Sequence, residues 1–160
     1  MADGSDREAA RVLLLDGHDR LLLFRGADPQ RPEDGTWWFT PGGGLEPGES
    51  TADGALRELQ EETGLVADDL EGPVWHRVAE FDFAGEHYRQ SEVFYVLRVG
   101  EHEVDTSGFQ PVEASAIIDH RWWTLDELAT TDEVVHPRAL TTDLRRLVAD
   151  GFPDVPYEVA

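Results

Sequence analysis

The segment at residues 43–65 constrains the fold of this chain more than any other, because it joins a glycine-rich loop to a helix-forming run with three glutamates. On a helix, Glu58, Glu61 and Glu62 stand at positions i, i+3 and i+4 and therefore share one face. Like charges at this spacing repel each other, and near a helix C-terminus they also oppose the helix dipole. Arg57 is the one base in the segment, so a further cation is needed to offset both effects. Taken alone, however, the cluster also fits a solvated acidic helix face.

The ligand chemistry of this cluster favours one kind of cation. Carboxylate oxygens suit Mg²⁺ or Mn²⁺, whereas zinc prefers His and Cys. The glycines before the helix let the backbone come close to a ligand and can direct carbonyl oxygens at the same metal. Ser50 or Thr51 can cap the start of the helix, and Gly64 is suited to end it.

Hydrophobic periodicity and turn signals predict short strands on both sides of this helix. The first two strands form a hairpin, since two apolar runs flank the turn at residues 16–19. The run at residues 41–44 is predicted to end the third strand and continue as a loop. The predicted strands are residues 11–15, 21–24, 37–39, 74–83, 91–99 and 117–123, and the predicted helices are residues 50–63, a short helix opened by a capping box at 124–127, and residues 137–149. The predicted buried face of the last helix consists of Leu140, Leu144, Leu147 and Val148.

The order of these elements favours an α/β (α+β) sandwich with a mixed sheet. The first helix follows three strands instead of alternating with them, so a doubly wound parallel sheet is disfavoured. The chain has 160 residues without a repeat or linker, which predicts a single domain over residues 1–160. We expect an ordered core over about residues 8–150, with the first six residues and the tail after Gly151 disordered.

Charge composition limits the partners that this chain can have. The sequence holds 34 acidic and 13 basic residues, for a formal net charge of -21. Because duplex nucleic acid is usually bound by a basic surface, we expect no duplex nucleic-acid partner. A small anionic ligand can bind only where a positive charge is brought to the site. The absence of cysteine and lysine removes thiol nucleophiles, disulfides, thiolate metal sites and lysine Schiff bases.

Sequence signals for membranes and secretion are missing as well. No apolar run approaches the roughly 20 residues needed to span a bilayer. The N-terminal residues lack the apolar stretch of a secretory signal. We therefore expect a cytoplasmic protein with no membrane partner.

The spacing within residues 43–65 resembles the Nudix box, G-x5-E-x7-R-E-U-x-E-E-x-G-U, in which U is aliphatic. Every defined position is filled, and the short aromatic strand followed by Pro-Gly-Gly before it is also similar to the family. A match at this many fixed positions favours a Nudix site over a solvated face. The matching residues are Gly43, Glu49, Arg57, Glu58, Leu59, Glu61, Glu62, Gly64 and Leu65.

The resemblance implies a Nudix-type α/β/α sandwich and a MutT-like hydrolase, with the box forming a loop, a helix and a loop. Water would attack a diphosphate bridge in a nucleoside diphosphate linked to another moiety, and Mg²⁺ or Mn²⁺ would be required. By the match, Glu61 and Glu62 would be metal ligands. Glu58 would be a further ligand or the base that orients the water, and the carbonyl of Gly43, or of its neighbour Gly42, would complete the shell.

The same match gives other positions of the box a supporting role. Arg57 and Glu49 would pair with each other and hold the loop against the helix, which keeps the carboxylates in position. Leu59 and Leu65 would be packing residues, and Gly64 would end the helix.

Outside the box, the resemblance implies contacts with metal and substrate from later parts of the chain. Family members often add an acidic metal ligand from a later loop. The candidates are Glu113 and Asp119, with Glu92 and Glu103 as alternatives. Arg25 resembles the basic residue that many relatives place near the substrate phosphates, with Arg89 and Arg121 as alternatives. One or two of four aromatic residues could stack on a base, namely Trp37, Trp38, Phe83 and Tyr95.

The substrate is a small-molecule nucleotide by the same resemblance. Residues 80–83 contain neither the Pro nor the Tyr that marks ADP-ribose and dinucleoside polyphosphate hydrolases of the family. Elimination leaves nucleoside triphosphates, oxidised ones included, with ADP-ribose, nucleotide sugars and dinucleoside polyphosphates as alternatives. A non-catalytic Nudix-fold binding or regulatory module is the alternative of another class, although such modules tend to lose the box carboxylates. Because homodimers are common in the family, a homodimer is the oligomer that the resemblance implies.

Overall fold

The computed structural model describes residues 5–109 and 116–159, so the candidate Glu113 lies outside the described residues. The strands are β1 (Ser5–Leu15), β2 (Leu21–Ala27), β3 (Thr36–Phe39), β4 (Gly42–Gly44), β5 (Glu71–Phe83), β6 (Glu86–Arg98), β7 (Ile117–Trp123) and β8 (Tyr157–Glu158). The helices include α1 (Thr51–Thr63), α2 (Leu125–Thr130), α3 (Leu140–Asp150) and a short 3₁₀ helix at Pro32–Asp34. In the part of the chain that is described, no helix has the length and apolar character needed to cross a membrane.

The strands form one mixed sheet with β1 near its centre. The strand order is β3-β2-β1-β6-β5-β8, with β4 paired to β1 and β7 paired to β2. β1 runs parallel to β6 along its whole length, from Ser5 to Leu15. It meets β2 at its C-terminal end, where Leu15 lies opposite Leu21. The earlier part of β1 pairs with β4 instead of β2, with Gly44 opposite Ala9. These pairings bring the start of the glycine-rich segment into the middle of the sheet.

Alternate residues of the central strands face opposite sides of the sheet, and each side has its own core. The core beneath α2 and α3 includes Leu13, Leu15, Leu21, Leu23, Trp75, Trp123, Leu128, Leu140, Leu144 and Leu147. The core beneath α1 includes Ala10, Val12, Leu14, Leu22, Phe24, Ala55, Leu59 and Tyr95. Helices on both faces of a mixed sheet confirm the predicted α/β/α sandwich.

Capping groups fix the ends of the first two helices where the sequence predicts them. The Ser50 hydroxyl accepts a hydrogen bond from the backbone N–H of Asp53 at 3.1 Å. Gly64 has the left-handed φ of 76° that suits a C-cap. Thr124 and Glu127 form the capping box at the start of α2.

The glycine run is a strand, so the predicted loop is wrong. Gly42–Gly44 forms β4 and pairs with β1. A Cβ on Gly42 would lie 2.2 Å from the carbonyl oxygen of Ala10, and the residue has a φ of 136°. Glycine is therefore required for this close approach of the two backbones. Because glycine is depleted in strands, its presence hid β4 from the sequence pattern.

The sheet reaches beyond the region that the periodicity predicts as strand. β1 begins at Ser5, and β8 pairs in parallel with β5 through Tyr157 and Trp75. β5 and β6 form one long hairpin that turns at Ala84 and Gly85, both of which have positive φ. The polar residues that begin β6 lack the apolar alternation on which strand prediction depends.

The last helix begins later than predicted and buries a narrower face. Leu140, Leu144 and Leu147 are buried as predicted, but Val148 is 36% exposed. Val148 follows Leu147 directly and is therefore turned about 100° around the helix, at the edge of the apolar face.

The buried face of α3 and its exposed margin should differ in their contribution to the free energy of unfolding. We expect Leu144→Ala to lower the free energy of unfolding by about 2–5 kcal/mol, because it leaves a cavity in a packed core. Val148→Ala is the matched control and should cost less than about 1 kcal/mol. Urea unfolding at pH 7 measures both variants. Equal losses in the two variants would contradict the packing of α3.

Candidate active site

Two of the three box glutamates lie on the buried side of α1. Glu58 is 7% exposed and Glu62 is 0% exposed, on the side of the helix that carries Ala55 and Leu59. Glu61 is half-buried at the margin of this side. A solvated acidic face would leave the carboxylates in water, so it does not describe Glu58 and Glu62.

The backbone of β4 lies directly against these two carboxylates. The N–H of Gly42 donates a hydrogen bond to Oε1 of Glu62 at 2.7 Å. A Cβ on Gly43 would stand 2.8 Å from Oε1 of Glu58, which is closer than such atoms approach. The glycines of β4 therefore make room for both glutamates beside the sheet.

Arg57 connects the loop before α1 to the acidic helix through hydrogen bonds. Its Nε and Nη2 donate to the two carboxylate oxygens of Glu49 at 2.8 and 2.9 Å. Nη2 also donates to the carbonyl oxygen of Gly44 at 3.2 Å. Nη1 donates to Glu58 at 3.2 Å and to Glu61 at 3.3 Å. One guanidinium group thus contacts the loop, β4 and two of the three glutamates.

The pairing with Arg57 makes Glu49 a stronger acid. The side-chain hydrogen bond from Arg57 is the largest cause that lowers the pKa of Glu49 from 4.5 to about 2, followed by the hydrogen bond from the backbone of Glu46. The pKa of Arg57 is raised in turn, first of all by its hydrogen bond with Glu49. Both partners are therefore charged at neutral pH.

The three box carboxylates do not form a ready-made metal shell. Within residues 5–109 and 116–159, no three His, Asp or Glu side chains are gathered closely enough to hold a metal ion. Glu61 is hydrogen-bonded to Arg57 instead. Binding of one metal by all three glutamates would therefore compete with the contact between Glu61 and Arg57.

A cavity of about 350 Å³ is lined mainly by residues of β1, β3, β5 and β6. Its walls are aromatic, with Trp37 and Phe39 from β3 and Phe81 and Phe83 from β5. Phe94, which belongs to the core beneath α2 and α3, also lines the cavity, so the cavity lies on that face of the sheet. Aromatic walls of this kind suit a flat organic ring.

Charged side chains form the polar lining of the cavity around Glu92, which is buried. Glu92 accepts hydrogen bonds from Nη1 of Arg77 at 2.7 Å and from Nε of Arg11 at 3.0 Å. The side-chain amide of Gln90 donates to it at 2.6 Å. Arg7 in turn donates from Nε to the side-chain oxygen of Gln90. Three arginines are therefore organised around a single carboxylate.

Arg11 joins the cavity to the acidic helix. Its Nη1 donates to the carbonyl oxygens of Thr40 at 3.3 Å and Gly42 at 3.2 Å. The N–H of Gly42 donates to Glu62, so one residue of β4 stands between a cavity arginine and a buried carboxylate. The backbone of Gly42 therefore connects a cavity arginine with a carboxylate of α1, although no residue of α1 lines the cavity.

The two tryptophans predicted to contact substrate have different places in the structure. Trp37 lines the cavity. Trp38 is buried in the core, where its ring packs edge-on against Trp123 with 5.1 Å between ring centroids. Its Nε1 donates to Glu133 at 3.1 Å. The structure therefore brings Trp37 to the site and leaves Trp38 in a packing position.

Of the predicted charged candidates, Arg25 and Asp119 lie away from the cavity lining, whereas Glu92 lines the cavity and pairs with Arg11 and Arg77. Arg25 donates from Nε to the hydroxyl of Thr36 at 3.1 Å and does not line the cavity. Asp119 is exposed on β7, where it lies opposite Arg25. Glu113 falls outside the described residues.

The arginines of the cavity were missed by sequence reasoning. Arg7 falls in the segment before the predicted core, and Arg11 carries no signal beyond that of an ordinary strand residue. Their spacing of four residues on β1 places both on one face, which is a signal once the strand is known to start at Ser5. Arg77 lies opposite Glu92 in the register of β5 and β6, but this pairing cannot be read from the sequence.

The ion pair between Glu49 and Arg57 should make stability depend on pH in a defined window. A carboxylate whose pKa is depressed on folding stabilises the fold fully above its unfolded pKa and loses this effect as the pH falls through its folded pKa. For Glu49 the window runs from 4.5 down to about 2. We therefore expect Glu49→Gln to unfold at lower urea concentration than the wild type at pH 7, with a difference that shrinks below pH 4.5.

Glu46→Gln is the matched control for this measurement. Glu46 is exposed in the same loop, and its carboxylate lies 3.7 Å from Nε of Arg57. An exposed pair at this distance contributes little, so the stability of Glu46→Gln should stay close to that of the wild type. Identical pH profiles for Glu49→Gln and the wild type would contradict the role of the ion pair.

Comparison with known proteins shows relatives over most of the chain. The family model described as NUDIX domain matches residues 5–144. The chain is 38% identical over 158 residues to the RNA pyrophosphohydrolase of Dinoroseobacter shibae, with 92% of each chain covered. It is 44% identical over 52 residues to an uncharacterized Nudix hydrolase, YvcI, of Bacillus subtilis, but this match covers 32% of the present chain and 29% of that protein.

The fold is also found among solved structures. The MutT protein of Methanosarcina mazei Go1 superposes with a TM-score of 0.59 at 19% identity, covering 94% of this chain and 98% of that chain. At this identity the likeness supports the fold alone. The family model covers most of the chain and includes the whole box, and the chain therefore belongs to the Nudix hydrolase family.

Proposed function

We propose that this chain is a pyrophosphohydrolase that uses Mg²⁺ or Mn²⁺ to cleave a diphosphate bond in a nucleoside 5′-triphosphate, oxidised nucleotides included. The observation that carries the proposal is the path from Glu62 through Gly42 to Arg11, which joins buried carboxylates to an arginine-lined aromatic cavity. A small ligand with a flat ring and a chain of phosphates has a group that matches each part. The box spacing and the family membership support the same reaction class.

The residues of α1 and β4 fit a hard divalent cation. The donors are all oxygens, which Mg²⁺ and Mn²⁺ prefer. Gly43 leaves open the space beside Glu58 that a Cβ would fill. The metal would be held by Glu58, Glu61 and Glu62 together with the carbonyl of Gly43. Glu61 would then exchange its hydrogen bond with Arg57 for a bond to the metal. When bound, the metal would neutralise phosphate charge and lower the pKa of a water molecule.

The side chains of the box act by positioning groups for this reaction. Arg57 holds Glu58 and the loop through Glu49, so the carboxylate keeps its direction when substrate arrives. The N–H of Gly42 fixes Glu62 in the same way. In the alternative to metal ligation, Glu58 would orient a water molecule and accept its proton. Water adds to one phosphorus, the bridging P–O bond breaks, and a nucleoside triphosphate yields a nucleoside monophosphate and pyrophosphate.

A triphosphate at the 5′ end of RNA is a second candidate substrate. It is favoured by the 38% identity to a protein that is named an RNA pyrophosphohydrolase. Both candidates carry the same triphosphate and differ in the group attached to the 3′ oxygen of the first nucleotide. The net charge of -21 repels a long polyanion more than a single nucleotide, which favours the free nucleotide.

Removal of one carboxylate tests the reaction. We expect Glu62→Gln to lower kcat/KM for Mg²⁺-dependent pyrophosphate release by about 100-fold or more, because the substitution removes a charged ligand. The glutamine oxygen can still accept from Gly42, so the thermal unfolding temperature should remain near that of the wild type. Glu101→Gln changes an exposed glutamate and is the matched control. Full turnover by Glu62→Gln would overturn the proposal.

A substrate panel tests the choice of nucleotide. The panel contains nucleoside triphosphates, their oxidised forms, ADP-ribose, a nucleotide sugar, a dinucleoside polyphosphate and a short RNA with a 5′-triphosphate, each with Mg²⁺ and with Mn²⁺. We expect the highest kcat/KM for a free triphosphate and no turnover in EDTA. A higher value for the RNA would replace the first candidate with the second. Binding of nucleotides without any hydrolysis would favour the non-catalytic module.

A further inference from the structure

The two aromatic walls of the cavity lie on different parts of the sheet. Trp37 and Phe39 belong to β3, which pairs with the end of β2, whereas Phe81 and Phe83 belong to β5, which pairs with β6. In the strand order β1 stands between these parts, but it meets β2 where β1 ends and pairs with β4 before that point. Among the described strands, the ladder hydrogen bonds at this end of the sheet thus run within each wall and not from one wall to the other.

Asp28 connects the two walls beside the cavity. It directly follows β2 and is 3% exposed. Its Oδ2 accepts a hydrogen bond at 3.1 Å from the backbone N–H of Ala84, which lies in the turn between β5 and β6. The residues directly before these two, Ala27 and Phe83, both line the cavity. The contact between Asp28 and Ala84 therefore joins one wall to the other next to the cavity.

The local sequence holds Asp28 in the orientation that this contact needs. Pro29 follows it, and its Oδ1 accepts a hydrogen bond from the backbone N–H of Gln30 at 2.9 Å. Its own carbonyl oxygen accepts from the N–H of Arg31 at 3.0 Å, which closes a turn. An aspartate that bonds its own backbone two residues on stabilises such a turn. One carboxylate oxygen thus fixes the side chain, and the other is left for Ala84.

The turn that contacts Asp28 contains a strained residue. Ala84 and Gly85 have φ of 51° and 83°, and the flanking residues Phe83 and Glu86 pair with each other. Glycine and asparagine suit such left-handed positions, whereas an alanine is strained there. The hydrogen bond of a turn joins its first and fourth residues, which leaves the N–H of Ala84 for another acceptor. Asp28 supplies this acceptor and so stabilises the turn next to Phe83.

The second carboxylate oxygen distinguishes Asp28 from a residue that only forms a turn. Asparagine forms the same kind of turn without the cost of a buried carboxylate, but its amide has one oxygen. A carboxylate can accept at both oxygens, and here the two acceptors serve the loop after β2 and the turn after β5. The cost of burying this carboxylate is therefore offset by a contact that only its second oxygen makes.

We infer that Asp28 is a positioning residue that fixes the width of the cavity between its aromatic walls and thereby determines how tightly the ring of the substrate is held. This inference rests on the proposed function for the identity of the substrate. Asp28 is not part of the cavity lining, so it acts through Trp37 on one wall and through Phe81 and Phe83 on the other. A flat ring gains most from aromatic walls that contact it at the right separation. Loss of the contact should weaken binding and leave the bond-breaking step unchanged.

Steady-state kinetics of Asp28→Ala with nucleoside triphosphates tests this role. We expect KM to rise about fivefold or more and kcat to stay within about twofold of the wild type, because ground state and transition state lose the same ring contacts. Asp28→Asn can satisfy the loop or the turn but not both, so its KM should lie between those of the wild type and Asp28→Ala.

Asp16→Ala is the matched control for these kinetics. Asp16 is 5% exposed and accepts hydrogen bonds from the backbone N–H groups of His18 and Arg20 in the turn between β1 and β2. The substitution therefore also removes a buried carboxylate from a turn, but Asp16 is not part of the cavity lining. Its KM should stay within about twofold of the wild type.

Amide hydrogen exchange, followed by NMR, measures the contact itself. The N–H of Ala84 should exchange about tenfold faster or more in Asp28→Ala than in the wild type, because it loses its acceptor. Equal exchange rates would overturn the inference, as would a wild-type KM in Asp28→Ala. An equal rise of KM in Asp16→Ala would show a general loss of stability and would overturn it too. Thermal unfolding is measured for every variant, and Asp28→Asn decides if Asp28→Ala does not fold.

Calorimetric titration of a nucleoside monophosphate, which requires no hydrolysis, separates the inference from the proposed function. A Kd that rises in Asp28→Ala, in a protein that hydrolyses no triphosphate, would remove the function and keep the role of Asp28. Hydrolysis with the same KM and the same Kd in both proteins would keep the function and remove the role. Absence of both hydrolysis and binding in the wild type would overturn both.

Discussion

The rest of the site depends on two hydrogen bonds that the backbone of Gly42 makes. The N–H holds a carboxylate of α1, and the carbonyl oxygen holds Arg11 of β1, which in turn contacts Glu92 in the cavity. A side chain cannot be placed there, because a Cβ would collide with the backbone of Ala10. Backbone groups have no rotamers, so this connection holds the helix and the cavity at a fixed distance.

Two groups of like charge stand on either side of β4, and each would be unfavourable without the other parts of the fold. Buried glutamates on α1 repel one another, and Arg57 offsets part of this by contacting Glu58 and Glu61. The arginines of the cavity repel one another as well, and Glu92 separates two of them. The net charge of -21 is therefore unevenly distributed, since three of the 13 basic residues gather in the cavity. Sites that keep such charges commonly give up stability for function.

Features formed by residues close together in the chain could be predicted from the sequence, whereas contacts that depend on strand pairing could not. The glutamates of α1 and the caps at Ser50 and Gly64 follow from helix geometry and short spacing, so they could be predicted. β4 could not, because three glycines give no strand signal and are required only by the closeness of β1. The cavity could not either, since Arg11 and Glu92 are 81 residues apart and meet through the parallel pairing of β1 with β6.

In the proposed function, the position of β4 between α1 and the cavity would also separate cleavage from recognition. The carboxylates that would perform hydrolysis stand on one helix, whereas the aromatic walls stand on β3 and β5, at Trp37, Phe39, Phe81 and Phe83. None of these four side chains is among the contacts of Arg57 or Gly42 with the glutamates. With this arrangement, mutation and selection would be able to change the ring that the cavity accepts without changing the carboxylates of α1, so one scaffold could acquire new substrates without a new mechanism.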